Sequence, residues 1–234
     1  MKKFLTVSMM ALAMVLASSC NKDEDPAKDV NNTKYINTWV AKDVEVGKIL
    51  GDVSDPEAFV KLPDNIKSQL ADMKLDIVVK LDENGKGNAG VHLDNSKLTM
   101  LRTIFSWISQ QEGVQIPSEV SQIFAGIKAD DYVGAPFAYS AAPTDETKGK
   151  FTVTVGTGEE SETEDVNYSD LSDNAMTLSY KDEVENPQTG KTEMVDVSYT
   201  LKSLGSTGLT VNNFVDVSAL AALIPDGGDE TDKE

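Results

Sequence analysis

Residues 74–93 read KLDIVVKLDENGKGNAGVHL, and this stretch decides the fold class. From Lys74 to Leu81 the apolar residues at 75, 77, 79 and 81 recur at every second position, which is typical of a strand with one buried face. The turn that follows contains Asn84-Gly85, a dipeptide common in tight hairpins because both residues tolerate positive φ. Asn88 to Leu93 can then pair back. The stretch predicts a β-hairpin and an antiparallel sheet.

The same period of two recurs on both sides of this hairpin. Asn186 to Gly190 has the composition of a turn, which predicts a second long hairpin. The segment from Gly156 to Asp165 is rich in glutamate, and we expect it to be a polar loop. The other predicted strands lie at Tyr35–Val46, Val133–Ser140, Phe151–Val155, Met176–Tyr180, Val195–Leu201 and Leu209–Phe214.

Two amphipathic helices interrupt the strands. The first contains Leu98 and ends near Gly113, and the second starts at Pro117 with apolar residues at 120, 123, 124 and 127. Core packing against the sheet is one interpretation. The alternative is a lid over a cavity, with Phe105, Trp107 and Phe124 in contact with a ligand. Shorter helices are predicted at Asn65–Met73 and Val217–Ile224.

Eight antiparallel strands can close into a barrel, which leaves no exposed sheet edge. The sequence therefore predicts a mainly β fold with a helical insertion: an antiparallel barrel of about eight strands on which two amphipathic helices pack. Such a barrel encloses side chains or one small ligand.

The N-terminus has the pattern of an export signal. Lys2 and Lys3 precede an apolar segment that is too short to cross a bilayer, and small residues lead to Cys20, the only cysteine. A cysteine at this place resembles a bacterial lipoprotein signal. That resemblance implies removal of residues 1–19 and lipidation of Cys20, and acyl chains there would anchor the protein to a membrane.

Residues 20–33 are polar and predict a flexible tether, and residues 225–234 predict a disordered acidic tail. The barrel domain is then expected to span 34–224. Directly after the cysteine, Lys22, Asp23, Glu24 and Asp25 resemble the acidic export signal of some Gram-negative lipoproteins. This resemblance implies transport to the outer membrane, with the protein facing the cell exterior.

The charge of the chain excludes one class of partner. The formal net charge is −18, and it becomes −20 once the signal with its two lysines is removed. Nucleic-acid binding depends largely on Lys and Arg contacts to phosphates, so we expect none here. The membrane should be contacted through the lipid anchor only.

The residue types needed for catalysis are mostly missing. His92 is the only histidine, and no nucleophile motif accompanies it, so we expect a solvent-facing or hydrogen-bonded structural role. Zinc would need more His or Cys ligands, and no phosphate-binding glycine loop is present. The Glu159–Asp165 and Asp170–Asp173 segments offer oxygen ligands for calcium but lack the spacing of a calcium loop. We expect no enzyme, no cofactor and no metal.

Several short segments together resemble lipocalin-like (calycin-like) bacterial lipoproteins: Asn37-Thr38-Trp39, Leu81 to Gly85, Met176-Thr177-Leu178 with the hairpin to Leu201, and Asp216 to Leu223. The resemblance implies a non-catalytic barrel that binds a small hydrophobic ligand. The residues expected to line the cavity are Trp39, Val79, Phe105, Trp107, Phe124, Phe151 and Tyr180. Two alternatives remain: a module that contacts another envelope protein or a host surface, and, least favoured, an enzyme acting on envelope polymer.

Overall fold

A computed structural model describes residues 33–45, 73–110, 117–156, 161–186 and 191–218. In chain order, these residues form the strands and helices β1 Thr38–Glu45, β2 Lys74–Leu81, β3 Lys86–Leu93, α1 Asn95–Ser109, α2 Ser118–Gly126, β4 Asp131–Pro143, β5 Gly149–Val155, β6 Glu162–Ser169, β7 Ala175–Asn186, β8 Lys191–Ser203 and β9 Phe214–Asp216.

Strands β1 to β8 form a closed antiparallel barrel. Each strand pairs with the next along the chain, and β8 returns to pair with β1 at Trp39↔Ser203 and Val40↔Lys202. The short strand β9 adds to β4 in parallel, on the part of its edge that β5 leaves free. The predicted mainly β barrel with two helices is confirmed.

The hairpin predicted at residues 74–93 is confirmed, but its turn differs from the expected one. Only Gly85 has positive φ in this turn, at 70°. The carboxylate of Asp82 accepts hydrogen bonds from the backbone N–H groups of Asn84 and Lys86. This geometry resembles a turn followed by one left-handed residue, in which glycine is needed at a single position.

The end of one predicted loop belongs to a barrel strand. Gly156 to Asp165 was expected to be a loop, but β6 starts at Glu162 and pairs with β5 from Glu162 to Tyr168. Across this pair, Asp165 accepts hydrogen bonds from the Thr152 hydroxyl at 2.7 Å and the Lys150 ammonium at 2.9 Å. The acidic strand is therefore stabilised by partners on the neighbouring strand, which its own sequence does not reveal.

The strand predicted at Leu209–Phe214 is wrong in position and role. The backbone pairs only from Phe214 to Asp216, as β9, and residues 209–213 cross the outside of the barrel without a strand partner among the described residues. Their apolar side chains cover Val40, Val78 and Tyr132 on the outer face. The alternation of apolar and polar residues from 209 to 213 thus reflects packing on the outside of the barrel and not pairing within its sheet.

The two short predicted helices lie mostly outside the described residues. Of the helix expected at Asn65–Met73, only Met73 is described, and of the helix expected at Val217–Ile224, only Val217 and Ser218 are described.

Inward-facing side chains fill the barrel. Trp39 is fully buried, and its indole N–H donates a hydrogen bond to the Tyr35 carbonyl at 2.8 Å. Around it lies one continuous core of Ala41, Val44, Ile77, Val79, Leu81, Ala89, Phe137, Tyr139, Phe151, Val153, Val166, Tyr168, Leu171, Met176, Leu178 and Leu201.

The two ends of the barrel differ. At the tether end lie Tyr35, the start of β1 and the turns at 82–85, 144–148 and 170–174. At the opposite end, here called the helical end, α1 and α2 connect β3 to β4 and bury a second core of Leu93, Leu98, Val120, Phe124, Ile127, Val133 and Val217. An up-and-down barrel places alternate connections at opposite ends, so residues 33–37, which lead into β1, and the two helices lie at opposite ends of the barrel.

Strands β7 and β8 extend beyond the closed part of the barrel. β6 pairs with β7 only at residues 167–169 and 177–179, and β1 pairs with β8 at two positions, whereas β7 and β8 pair with each other from Ala175 to Asn186. The outer part of this hairpin, residues 180–186 and 191–197, is here called the ribbon. With a rise of about 3.3 Å per residue, its seven β7 residues extend about 23 Å toward the helical end.

Candidate functional site

Between the described residues of the barrel core there is little space for a ligand. The cavity that they line has a volume of about 10 Å³, space for about one water molecule. Pockets that hold small organic ligands are typically about 300–1,000 Å³. Entirely apolar surface lines the cavity, contributed by Val79, Leu81, Phe137, Tyr139, Phe151, Val153, Val166 and Leu178.

The residues predicted to bind a ligand lie in two different cores. Val79 and Phe151 line the small cavity, and Trp39 belongs to the same barrel core. Tyr180 is also buried, opposite Val197 on the neighbouring strand, although it is not one of the residues that line the cavity.

The three predicted residues on the helices lie apart from the barrel cavity. The rings of Phe105 on α1 and Phe124 on α2 stack with their centroids 4.2 Å apart, and both pack in the core of the helical end. Trp107 is half-buried on α1. The structure therefore does not bring the seven residues together around one cavity, and the helical stripe is used for packing.

Aromatic rings close the barrel at the tether end. Tyr35 contacts Phe151 edge-on at 5.3 Å between ring centroids, and it also contacts Tyr139 and Tyr168. Burial raises the pKa of Tyr139 to about 12, with smaller contributions from Tyr35 and Asp82. Burial likewise raises the pKa of Tyr168 to about 12. These hydroxyls therefore stay protonated at neutral pH. The four rings of Tyr35, Tyr139, Phe151 and Tyr168, here called the plug, thus close the tether end without carrying charge.

The two buried hydroxyls are held differently. The Tyr139 hydroxyl donates a hydrogen bond to the Asp82 carbonyl at 2.5 Å, which links the plug to the first hairpin. The Tyr168 hydroxyl is buried and has no hydrogen-bond partner among the described residues. It lies against Gly149, where a Cβ would come within 2.5 Å of it.

His92 occupies a site that the sequence did not predict. Its side chain is only 2% exposed, and neither ring nitrogen makes a hydrogen bond to the described residues. Nδ1 lies 3.8 Å from a carboxylate oxygen of Asp76 on β2, and Nε2 lies 3.4 Å from one of Asp130 in the turn before β4. The expected solvent-facing or hydrogen-bonded role for His92 is therefore wrong.

The neighbours of His92 extend the site to α1. Lys97 lies 3.6 Å from Asp76 and 2.9 Å from Asp94, and Asp94 also accepts the backbone N–H of Lys97 in the first turn of the helix. Burial raises the pKa of Asp94, but the hydrogen bonds from the backbone N–H groups of Ser96 and Lys97 and from the Lys97 ammonium, with the charge of that ammonium, together outweigh burial and lower the pKa. The alternation of apolar residues predicted that His92 lies in a strand, but it contains no information on the two aspartates from other elements that flank the ring.

The described surroundings of His92 consist of acidic groups. Its imidazole faces two carboxylates, and no hydroxyl or thiol of the described residues is hydrogen-bonded to either ring nitrogen, as the base of a nucleophile would be. Within the described ranges, no group of three or more His, Cys, Asp or Glu side chains is arranged to hold a metal ion. The ion pairs of Lys97 with Asp76 and Asp94 link α1 to β2 electrostatically.

The predicted lipidation and export residues, Cys20 and Lys22 to Asp25, lie outside the described residues. So do Glu159 and Glu160 of the acidic segment. In the part of the chain that the structure describes, no helix has both the length and the apolar character needed to span a membrane. Comparisons of the chain with protein-family models, curated proteins and solved structures find no match.

Proposed function

We propose that this chain is a lipid-anchored, non-catalytic β-barrel module of the outer membrane that faces the cell exterior and acts by contacting another macromolecule. The observation that carries the proposal is the packed barrel interior, with a cavity of only about 10 Å³. A barrel filled by its own side chains is a rigid scaffold, so its specificity must come from its surface.

The position of the tether indicates which surface would meet the partner. Residues 20–33 lead into Tyr35, which packs at the tether end. A lipid anchor at Cys20 would place that end toward the membrane and the helical end away from it. The helices and the ribbon then form the part of the barrel most accessible to a partner in the surroundings.

The ribbon offers features suited to contact. Met194 is the exposed large hydrophobic side chain of the described residues, at 52% exposure. In the described strand pairings, residues 181–186 of β7 and 191–197 of β8 pair with each other only. Unpaired edges accept an additional strand from another chain. The chain's net charge of −18 favours a partner segment that carries positive charge.

Photo-crosslinking in intact cells tests this proposal. A photoreactive residue placed at Met194 on the ribbon or at Thr103, which is exposed on α1, should yield a cross-linked product that mass spectrometry identifies as the same partner. The matched control is Glu83, an exposed residue of the tether-end turn. Equal cross-linking from Glu83, or none from Met194 and Thr103, would contradict the proposed orientation.

The anchor is tested separately. Metabolic labelling with a fatty-acid analogue should mark the wild-type protein and not Cys20→Ala, which should also be lost from the membrane fraction. Replacing Lys22 to Asp25 with neutral residues should reduce labelling of the protein at the cell surface. An unlabelled wild-type protein would remove the lipid-anchor part of the proposal, and unchanged surface labelling would remove the export part.

A second candidate function is binding of a small hydrophobic ligand, which the wholly apolar lining of the cavity favours. This function requires the core to rearrange, because the observed volume holds about one water molecule. Native mass spectrometry of the protein purified from its own host would reveal a bound apolar molecule. Its repeated absence would leave the surface-contact function.

A further inference from the structure

Strands β6 and β7 stop pairing with each other where the ribbon begins. Their described pairing covers residues 167–169 of β6 and 177–179 of β7. Beyond it, in the described strand pairings, residues 162–166 of β6 pair with β5 only, and residues 181–186 of β7 pair with β8 only. These two lengths of strand, 162–166 and 181–186, border a split in the sheet that is here called the notch.

The notch does not open the barrel core to solvent. Val166, at its base on β6, is 0% exposed, and Tyr180, directly before the β7 side of the notch, is 4% exposed. Glu162 and Thr163, at the start of β6, are exposed. A second molecule would therefore meet strand backbone and polar side chains there, and not the apolar interior.

Two other strand edges of the barrel are blunted, whereas the edge of β6 is regular. β9 covers β4 at residues 132–134, where β4 does not pair with β5 in the described pairings. On the other side of the ribbon, β1 has a break in register between Ala41 and Val44. A covering segment and a break in register both hinder pairing with another chain. β6 keeps a continuous register with β5 from Glu162 to Tyr168, so its opposite edge can accept a strand.

The charge of the notch distinguishes it from the other side of the ribbon. Residues 162–166 and 181–186 together contain six acidic residues and one lysine. One of the six, Asp165, is paired with Lys150 of β5 at 2.9 Å. Residues 41–45 of β1 and 191–197 of β8, on the other side, contain four acidic residues and two lysines. The notch is therefore the more acidic of the two sides.

This charge selects among the chains that could add a strand. A second copy of the protein would bring the same acidic strands and be repelled. The C-terminal tail, residues 225–234, contains five acidic residues and one lysine, so it is repelled as well. An extended segment rich in Lys or Arg would be attracted, and it could pair through its backbone.

We propose that the notch binds an extended, basic segment of another protein, which adds as a strand to the edge of β6 at residues 162–166. These five residues extend about 17 Å, so the segment would pair over a similar length. The inference rests on the proposed surface-contact function and specifies the chemistry of the partner. Main-chain hydrogen bonds supply affinity, and the attraction of Lys or Arg to the acidic residues of β6 and β7 supplies selectivity.

A synthetic peptide of alternating lysine and valine, seven residues long, tests the notch in the purified full-length protein. The peptide should bind, and a glutamate–valine peptide should not. The lysine–valine peptide N-methylated at every interior residue keeps the charge but loses the N–H donors, so it should bind at least about tenfold more weakly. No binding of the unmodified peptide, or equal binding of its N-methylated form, would overturn the proposal.

Two charge reversals locate the bound peptide. Glu162→Lys in the notch should weaken its binding by about three- to tenfold. Glu83→Lys, at an exposed position of the tether-end turn, makes the same change in net charge and should alter binding by less than about twofold. Hydrogen exchange of the backbone amides at residues 162–166 should slow when the peptide is added, and that at residues 41–45 should not. Equal weakening by the two variants, or unchanged exchange at residues 162–166, would overturn the proposal.

Photo-crosslinking in cells separates this inference from the proposed function. A photoreactive residue at Thr163 should capture the same partner as one at Met194, and the cross-link should map to a basic stretch of that partner. Capture from Met194 and Thr103 but not from Thr163 would overturn the inference and leave the proposed function standing. Capture from none of the three, with the peptide results as expected, would contradict the proposed function and support the notch as a site for basic strands.

Discussion

Gly134 of β4 lies so close to Ala89 of β3 that a Cβ at position 134 would overlap the Ala89 carbonyl oxygen. The residue paired with Gly134 is also a glycine, Gly90, and a Cβ there would come 2.6 Å from the Val133 carbonyl oxygen. The two strands therefore approach closely at a point where neither carries a side chain.

Gly134→Ala should destabilise the protein, because the obstacle is backbone and cannot rotate away. We expect a loss of about 2–4 kcal/mol in the free energy of unfolding, at or above the upper end of ordinary overpacking. Urea unfolding measures it. The control is Gly126→Ala at the end of α2, where a Cβ meets no atom within 4 Å and alanine is the better helix former, so stability should stay equal or rise. Equal stability of the Gly134 and Gly126 variants would contradict the close approach.

Removing the two buried tyrosine hydroxyls should have different effects. Tyr139→Phe loses the hydrogen bond to the Asp82 carbonyl and should cost about 1 kcal/mol. Tyr168→Phe removes a hydroxyl that has no partner among the described residues, so stability should be unchanged or rise by about 1 kcal/mol. Thermal and urea unfolding at neutral pH compare the pair. A larger loss for Tyr168→Phe than for Tyr139→Phe would show that this hydroxyl has a partner.

The same tyrosines predict an alkaline transition. Their pKa values of about 12 in the folded protein exceed the unfolded value of about 10. Between these values the unfolded chain releases protons that the folded chain retains, so stability is fully present below about pH 10 and falls as the pH rises toward about 12. Unfolding measured across this range should show the fall, and the double variant Tyr139→Phe, Tyr168→Phe should show less of it. An identical pH profile in the double variant would refute this assignment.

Truncation of the barrel core should be costly because the interior is already filled. Phe151 is 3% exposed, stacks on Tyr168 at 4.6 Å and lines the small cavity, so Phe151→Ala should destabilise by about 3–5 kcal/mol. The enlarged apolar cavity should bind a small apolar probe such as benzene or xenon, visible as an increase in thermal stability. Met194→Ala, at an exposed position, should change stability by less than about 0.5 kcal/mol. Phe151→Ala at wild-type stability would mean that the core is loosely packed.

The local spacing of apolar residues was sufficient to predict strands and helices where the residues that stabilise them lie close together in the chain. The predicted strand Lys74–Leu81 matches β2 at both ends, and the second helix starts at Ser118, directly after Pro117. Trp39 was expected inside the barrel and is fully buried. In each case the pattern of apolar residues and the turn or capping residues agree with one another, so little depends on distant parts of the chain.

The spacing of apolar residues gave wrong predictions where contacts with residues far away in the chain decide whether a segment becomes a strand. β6 was read as a loop because its acidic residues dominate, although Lys150 and Thr152 on β5 hold Asp165 in the sheet. Residues 209–213 alternate like a strand but cover the outside of the barrel. Alternation reports that one side of a segment is buried, and it does not distinguish pairing in the sheet from packing on it.

The sequence alone determined that this chain forms antiparallel hairpins, two amphipathic helices and a mainly β barrel, because turns, caps and apolar spacing act over a few residues. Only the tertiary structure decided that the barrel is filled, that β6 rather than residues 209–214 completes it, and that Asp76 and Asp130 flank His92. Each of these depends on side chains that lie at least 13 positions apart in the chain and meet only when the strands pair. Their free energies arise from contacts that no local pattern records.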